Sequence, residues 1–261
     1  MFRVSVLASG SKGNCTVICT DSTMVLLDAG LSGKKILNLL ASVNLDANKL
    51  NAVIISHEHN DHIRGAGIIC RKFDIPLYIT EMTYSVSQKS LGKLPEGMVF
   101  FKNGNSFKIG NIEVKTFPSS HDVVDGSNFV FNKVGDNFRK LAVATDLGFS
   151  SKLMLYRIKE STTIVLESNH DVQMLLDGPY PPFLKQRIKS QQGHLSNEQA
   201  VGVITKVVHP GLKNLVLAHL SEQNNLPEKA ENIMREYLQI INHDLQLYVS
   251  SQYEATPFID I

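Results

Sequence analysis

The sequence has no tryptophan, three cysteines in 261 residues and almost no net charge, with 26 Lys+Arg against 25 Asp+Glu. Each shortage excludes something. Three thiols at irregular spacing build neither a disulfide ladder nor paired metal-binding cysteines. Cys15, Cys19 and Cys70 therefore read as core thiols of a protein in a reducing compartment, and a cytoplasmic location is expected. A formal charge of +1 removes the global basic footprint of a protein that coats nucleic acid or an anionic membrane, but not a local basic patch. No apolar run approaches the ~18 residues of a membrane span, and the opening MFRVSVLASG lacks the charged-then-apolar order of a signal peptide. No membrane partner is expected. Low-complexity tracts, charge blocks and internal repeats are missing too.

What is present is a succession of short apolar runs bounded by Gly, Asn, Asp or Pro: Val4–Leu7, Met24–Leu27, Ala52–Ile55, Ile112–Val114, Phe129–Phe131, Leu141–Ala144, Thr163–Leu166, Leu215–Ala218 and Leu245–Val249. Most are β-branched-rich, as buried strands are. Helical spacing places Ile36, Leu39, Leu40 and Val43 on one face, and Ala230, Ile233, Met234, Leu238 and Ile241 on another. Ser196-Asn197-Glu198-Gln199 reads as a capping box opening a further helix. Strands are expected to dominate the first two-thirds, with helices thickening toward the C-terminus. The pattern predicts one domain over residues 1–261, with sheets inside and helices outside.

The nine histidines carry the chemistry. Ser56-His57-Glu58-His59-Asn60-Asp61-His62 follows the apolar strand NAVIIS, and a His-x-His-x-Asp-His pattern arises by chance with a probability below about 10⁻³. A strand ending in a turn fans its side chains, so His57 and His59 point to one side and Asp61 and His62 to another. That arrangement serves two neighbouring metals. Further ligands must come from elsewhere, and His121, Asp146 and His219 each lie just beyond an apolar or aromatic stretch, where side chains are held stiffly. Asp28, ending MVLLDAG, suits a partner that orients a ligand.

In order and spacing, Asp28, the His57–His62 motif, His121, Asp146 and His219 resemble the motifs of the metallo-β-lactamase fold superfamily. The resemblance implies an α+β fold: a four-layer αβ/βα sandwich, two central β-sheets flanked by helices, with metals in a cleft at one edge. It implies His57, His59 and His121 as ligands of one metal and Asp61, His62 and His219 of the second, with Asp146 bridging. Two divalent ions are expected, Zn²⁺ in first place and Mn²⁺ or Fe as alternatives. Glu167-Ser168-Asn169-His170-Asp171, GPYPPFLKQRI, GHLSN and HLSEQNN, with SGSKGNC near the start, resemble the YycJ/VicX/WalJ family, whose activity is nucleolytic. GHLSNEQA and AHLS are also similar to segments of ribonuclease Z, whose His-Glu-Ala-Thr glutamate falls at Glu167 and whose histidine falls at Leu166.

The implied function is di-metal hydrolysis of nucleic acid phosphodiesters, DNA favoured over RNA and a 5′ end as the favoured start. The metals would acidify a shared water. Asp61 is a candidate proton acceptor, and His194, or in second place His170, a candidate proton donor to the leaving oxygen. Lys185, Arg187 and Lys189, with Ser196 at the start of its helix, are candidate phosphate contacts. SGSKGNC lacks the order of a P-loop and reads as a tight hairpin near the cleft, with Ser11 or Asn14 available to line it. His209 and His243 read as exposed loop residues. The alternatives are a glyoxalase II-type thioester or lactone hydrolase, a small cyclic phosphodiesterase similar to the PhnP group, and a metal-stabilised scaffold. The last fits poorly with two sets of ligands, because a structural site needs one closed four-ligand metal.

Overall fold

The structure, a computed structural model, describes residues 1–95 and 97–261. Among them the apolar runs form two seven-stranded sheets. The first contains β1 (Phe2–Ala8), β2 (Cys15–Thr20), β3 (Met24–Leu27), β4 (Ala52–Ile54), β5 (Leu77–Thr80), β6 (Val99–Phe101) and β14 (Ile259–Asp260), in the order β14-β1-β2-β3-β4-β5-β6. The second contains β7 (Ser106–Ile109), β8 (Ile112–Pro118), β9 (Ser127–Lys133), β10 (Lys140–Ala144), β11 (Thr163–Glu167), β12 (Asn214–Ala218) and β13 (Gln246–Val249), in the order β13-β12-β11-β10-β9-β8-β7. The two sheets are built alike. Three antiparallel pairings give way to three parallel ones, at β3 in the first sheet and at β10 in the second.

Because successive strand residues point to opposite faces, the apolar side chains sort into three layers. Between the sheets, Val6, Ile18, Leu27 and Ile54 meet Val114, Phe129, Val143 and Val216. On the outer face of the first sheet, Val17, Leu26 and Val53 cluster with Ile36 and Leu40 of α1 (Gly33–Ser42), Ile69 of α3 (Ala66–Phe73) and Leu91 of α4 (Glu81–Leu91). On the outer face of the second, Ile164, Leu166, Leu215 and Leu217 cluster with Ile158 of α5 (Lys152–Ile158), Val203 of α8 (Asn197–Val207) and Met234 of α9 (Pro227–Ile240). The result is helix, sheet, sheet, helix, the four-layer α+β sandwich. All three cysteines lie in the first outer cluster. Three short helices, α2 (Asn60–Ile63), α6 (Val172–Asp177) and α7 (Pro182–Ile188), lie in the connections.

Helix α1 buries the face that the Ile36–Val43 spacing predicts, and α3 and α4 are two further helices within the first 91 residues that the sequence does not announce. Helix α4, EMTYSVSQKSL, is rich in Ser and Thr, which compete for backbone hydrogen bonds and weaken the local helical signal. Tertiary packing supplies what propensity does not. The Ser196 capping box is present, with Gln199 as its reciprocal partner. No helix among the described residues is long and apolar enough to cross a membrane.

Candidate metal centre and active site

The change from antiparallel to parallel pairing brings the carboxyl ends of β3, β4, β10, β11 and β12 toward one edge of the sandwich, the usual place for ligands in such sheets. Asp28 follows β3, His57 follows β4, Asp146 follows β10, Glu167 ends β11 and His219 follows β12. Asp28, Asp146 and His219 have φ values of 59°, 57° and 57°. A left-handed backbone costs a non-glycine residue on the order of 1 kcal/mol, and such strain collects at functional sites.

The His57–His62 segment folds differently from a simple turn. His59 stands at the N-cap of α2, and Asp61 and His62 lie in its single turn. The turn is clamped from outside: the Asn14 N–H donates to the Asp61 carbonyl at 2.7 Å, and the Ala29 N–H donates to the His62 carbonyl at 2.8 Å. Gly30 passes so close that an added Cβ would lie 1.5 Å from the Asp61 carbonyl oxygen. SGSKGNC is the β1–β2 connection, and Asn14 Nδ2 reaches Asp61 Oδ2 at 3.3 Å and His62 Nε2 at 3.0 Å.

Ligand atoms of His57, His59 and His121 lie within 4.8 Å of one another, as do those of Asp61, His62 and His219. Asp146 groups with His57 and His62 on one side and with His219 on the other. The donor set fits two cations, and the unused atoms make the point: His57 Nε2, Asp146 Oδ2 and His219 Nε2 are buried with no hydrogen-bond partner among the described residues. Burying such groups unpaired is costly unless something else satisfies them. The outer ring nitrogens are spoken for. His62 Nδ1 donates to Asp28 Oδ2 at 2.8 Å, His57 Nδ1 to Ser56 Oγ at 2.9 Å, and His121 Nδ1 to the Gln192 and Gly193 carbonyls, both at 3.1 Å. Such contacts turn each Nε2 inward, as in metal centres generally. Burial and the neighbouring imidazoles push the His57 pKa well down, so its ring is neutral and ready to ligate. Burial works against charge on His62 as well, but Asp28, Asp146 and Asp61 outweigh it and push that ring up to about 9.

Glu167 is the residue that sequence reasoning undervalued. Fully buried, it takes the Leu147 and Leu195 N–H groups on Oε2 at 2.9 and 3.0 Å, and His194 Nδ1 and His219 Nδ1 on Oε1 at 2.7 and 3.1 Å. Burial opposes its charge, but His194 and His219 outweigh that and hold the carboxyl well below the usual range. One carboxylate thus orients a candidate ligand and a candidate proton donor. The offset alignment to the ribonuclease Z glutamate was the only signal for it.

The other candidates are distributed unevenly. His194 lines a cavity with His121, whereas His170 joins none of the ligand groups. The His170 ring is buried, its Nδ1 lacks a partner among the described residues, and burial pushes its pKa down to about 4. Its carbonyl accepts the Asn197 N–H at the start of α8. Of the basic group only Arg187 lines the cavity, and it pairs with Asp122, next to His121. Lys185 Nζ donates to the Leu176 carbonyl at 2.6 Å, and Lys189 is exposed. The Ser196 hydroxyl accepts the Gln199 N–H and donates to Glu198 Oε2 at 2.8 Å, so the helix start is already satisfied by side chains. His209 and His243 are half-buried rather than exposed, because Nε2 of each donates to a backbone carbonyl, of Ser161 and Leu212 respectively, at 3.0 Å.

Comparison with known proteins agrees with this geometry. Residues 8–155 match the family model described as the metallo-beta-lactamase superfamily. The chain is 41% identical over 236 residues to the exodeoxyribonuclease YycJ of Bacillus anthracis, covering 90% of this chain and 88% of that one. It is 38% identical over 267 residues to the exodeoxyribonuclease WalJ of Streptococcus pneumoniae, covering 100% and 98%. Among solved structures, the metallo-beta-lactamase fold protein YhfI of Bacillus subtilis superposes with a TM-score of 0.73 at 17% identity, over 98% of this chain and 99% of that one, a likeness of fold. The chain belongs to the metallo-beta-lactamase superfamily and, within it, to the family of the YycJ and WalJ proteins.

Proposed function

We propose that the protein is a metal-dependent exonuclease that degrades DNA from a 5′ end. The observation that carries this reading is a complete two-group donor set in a chain 38–41% identical, over nine-tenths or more of its length, to proteins named exodeoxyribonucleases. Zn²⁺ is the favoured occupant, because imidazole and carboxylate donors suit it, with Mn²⁺ or Fe as alternatives. When bound, the pair of cations supplies Lewis acidity and an acidified water.

The remaining steps belong to the chain's own residues. Asp146 spans the two groups and Asp28 fixes the His62 ring. Asp61, whose carboxylate takes a hydrogen bond from Asn14, is assigned to accept the proton of the attacking water. His194 is the better proton donor to the leaving oxygen, because Glu167 fixes its Nδ1 and turns Nε2 away, whereas His170 braces the start of α8. Arg187 and Lys189 are assigned to backbone phosphates, while Lys185 and Ser196 hold α7 and α8 in place. Buried free thiols fit the reducing cytoplasm.

Incubation with 5′- and 3′-labelled DNA, the matching RNA and the thioester S-lactoylglutathione tests the reading. Mononucleotide release from the 5′ end of DNA is expected. Thioester turnover with no nuclease activity would overturn it.

A further inference from the structure

Helix α7 has an apolar side that the core does not use. None of its residues is fully buried, and Leu184 and Ile188 join none of the three hydrophobic clusters. With Tyr180 they instead line a cavity of about 160 Å³ whose other walls include His121, His194 and Ser11. The helix is held over that cavity by the ion pair of Arg187, itself one of the walls, with Asp122 and by Lys185 on the Leu176 carbonyl, and its last turn is tied to the His194 N–H through the Ile188 carbonyl at 2.9 Å. Apolar side chains kept out of the core and facing a cavity await a ligand with an apolar face.

Its size sets the class. A cavity of roughly 150 Å³ accommodates one benzene ring, so this one admits a single base-sized ring and not a stacked base pair. Tyr180 supplies a π-face, Leu184 and Ile188 supply apolar contact, and Ser11 supplies a hydroxyl with no partner among the described residues. The cavity shares His121 with the candidate metal centre and borders His194, the candidate proton donor, so it adjoins the place where the phosphate would react. Resting on the exonuclease reading above, we propose that the cavity beneath α7 takes one nucleobase of the nucleotides flanking the scissile bond. The DNA end must then be unpaired before its phosphodiester reaches the metals. This is recognition by stacking, which tolerates any sequence but requires a base, and it extracts that base from the duplex as other base-handling enzymes do.

The test compares single-stranded DNA carrying intact bases with the same strand bearing abasic residues at the first two 5′ positions. For the wild-type holoenzyme, KM for the abasic strand should exceed that for the intact strand by roughly tenfold to a hundredfold, the range that stacking of one base supports. In Tyr180→Ala and Leu184→Ala the ratio should collapse toward one, and Leu184→Phe, which fills the cavity, should act likewise. Blunt duplex should be cut more slowly than single strand in the wild type. Equal KM values for abasic and intact strands in the wild type, with DNA still degraded, overturn the base pocket and leave the exonuclease reading standing. Failure to degrade any DNA overturns both.

Discussion

At the scale of single residues, the site gathers imidazoles, of which His57, His62, His121 and His219 have their Nδ1 atoms engaged, while Nε2 of His57 and His219 has no hydrogen-bond partner among the described residues. Asp28 illustrates the consequence. It touches no proposed metal itself, yet it receives His62 Nδ1 at 2.8 Å and Ser56 at two points, 2.8 and 2.9 Å. Asp28→Ala should therefore weaken metal binding by about 10–100-fold, the usual effect of losing such an orienting partner, measured by competition with a chromogenic chelator. His194→Ala should behave differently. It removes no member of either metal triad, so two ions per chain should remain by elemental analysis while kcat on DNA falls by roughly 10²–10⁴. A His194→Ala enzyme with full kcat would return the proton-donor role to His170. The candidate ligand residues were legible in sequence because a spaced motif and strand-end positions mark them. Glu167 was not, because its role depends on four groups from three segments, the loop after β10, the loop before α8 and the end of β12, meeting at one carboxylate.

At the scale of elements, the critical contact is the one between the β3–α1 connection and α2. The Cβ of an alanine at position 30 would stand 1.5 Å from the Asp61 carbonyl, which is backbone and cannot step aside. Gly30→Ala should push α2 outward, taking Asp61 and His62 with it. The expected outcome is a protein that folds but retains about one ion per chain, with stability reduced by about 1–3 kcal/mol for overpacking. Retention of two ions would show that the turn can re-form elsewhere. The sequence gives strand–turn–ligand at this point but not the helix, since α2 has only four residues. It is closed by contacts with Asn14 and Ala29 rather than by local propensity.

At the scale of the whole molecule, two expectations follow from burial and linkage. Cys15, Cys19 and Cys70 are buried in one cluster, and burial pushes the Cys19 thiol up to about 11 and the Cys70 thiol to about 12. Native protein should show no fast-reacting thiol toward a disulfide reagent at pH 8, and three after unfolding, since only the thiolate attacks. Metal should also stabilise the fold, because the ligands converge only in the native state. A free metal concentration 100 times Kd contributes about 2.7 kcal/mol, so chelation should lower Tm, and added metal should restore it. An unchanged Tm on chelation would mean that the donor set binds metal no better when folded.

The sequence by itself determined which residue types are available for metal chemistry, the alternation of apolar strands that requires a layered sandwich, and the capped helix beginning at Ser196. These depend on short-range spacing, and spacing is written in the chain. Tertiary structure alone decided that Glu167 joins His194 to His219, that Arg187 is engaged by Asp122, and that α7 turns its apolar side to a cavity rather than to the core. Those relations join residues 27 to 65 positions apart, and only the tertiary fold of the second sheet and its connections brings such distant segments to one place.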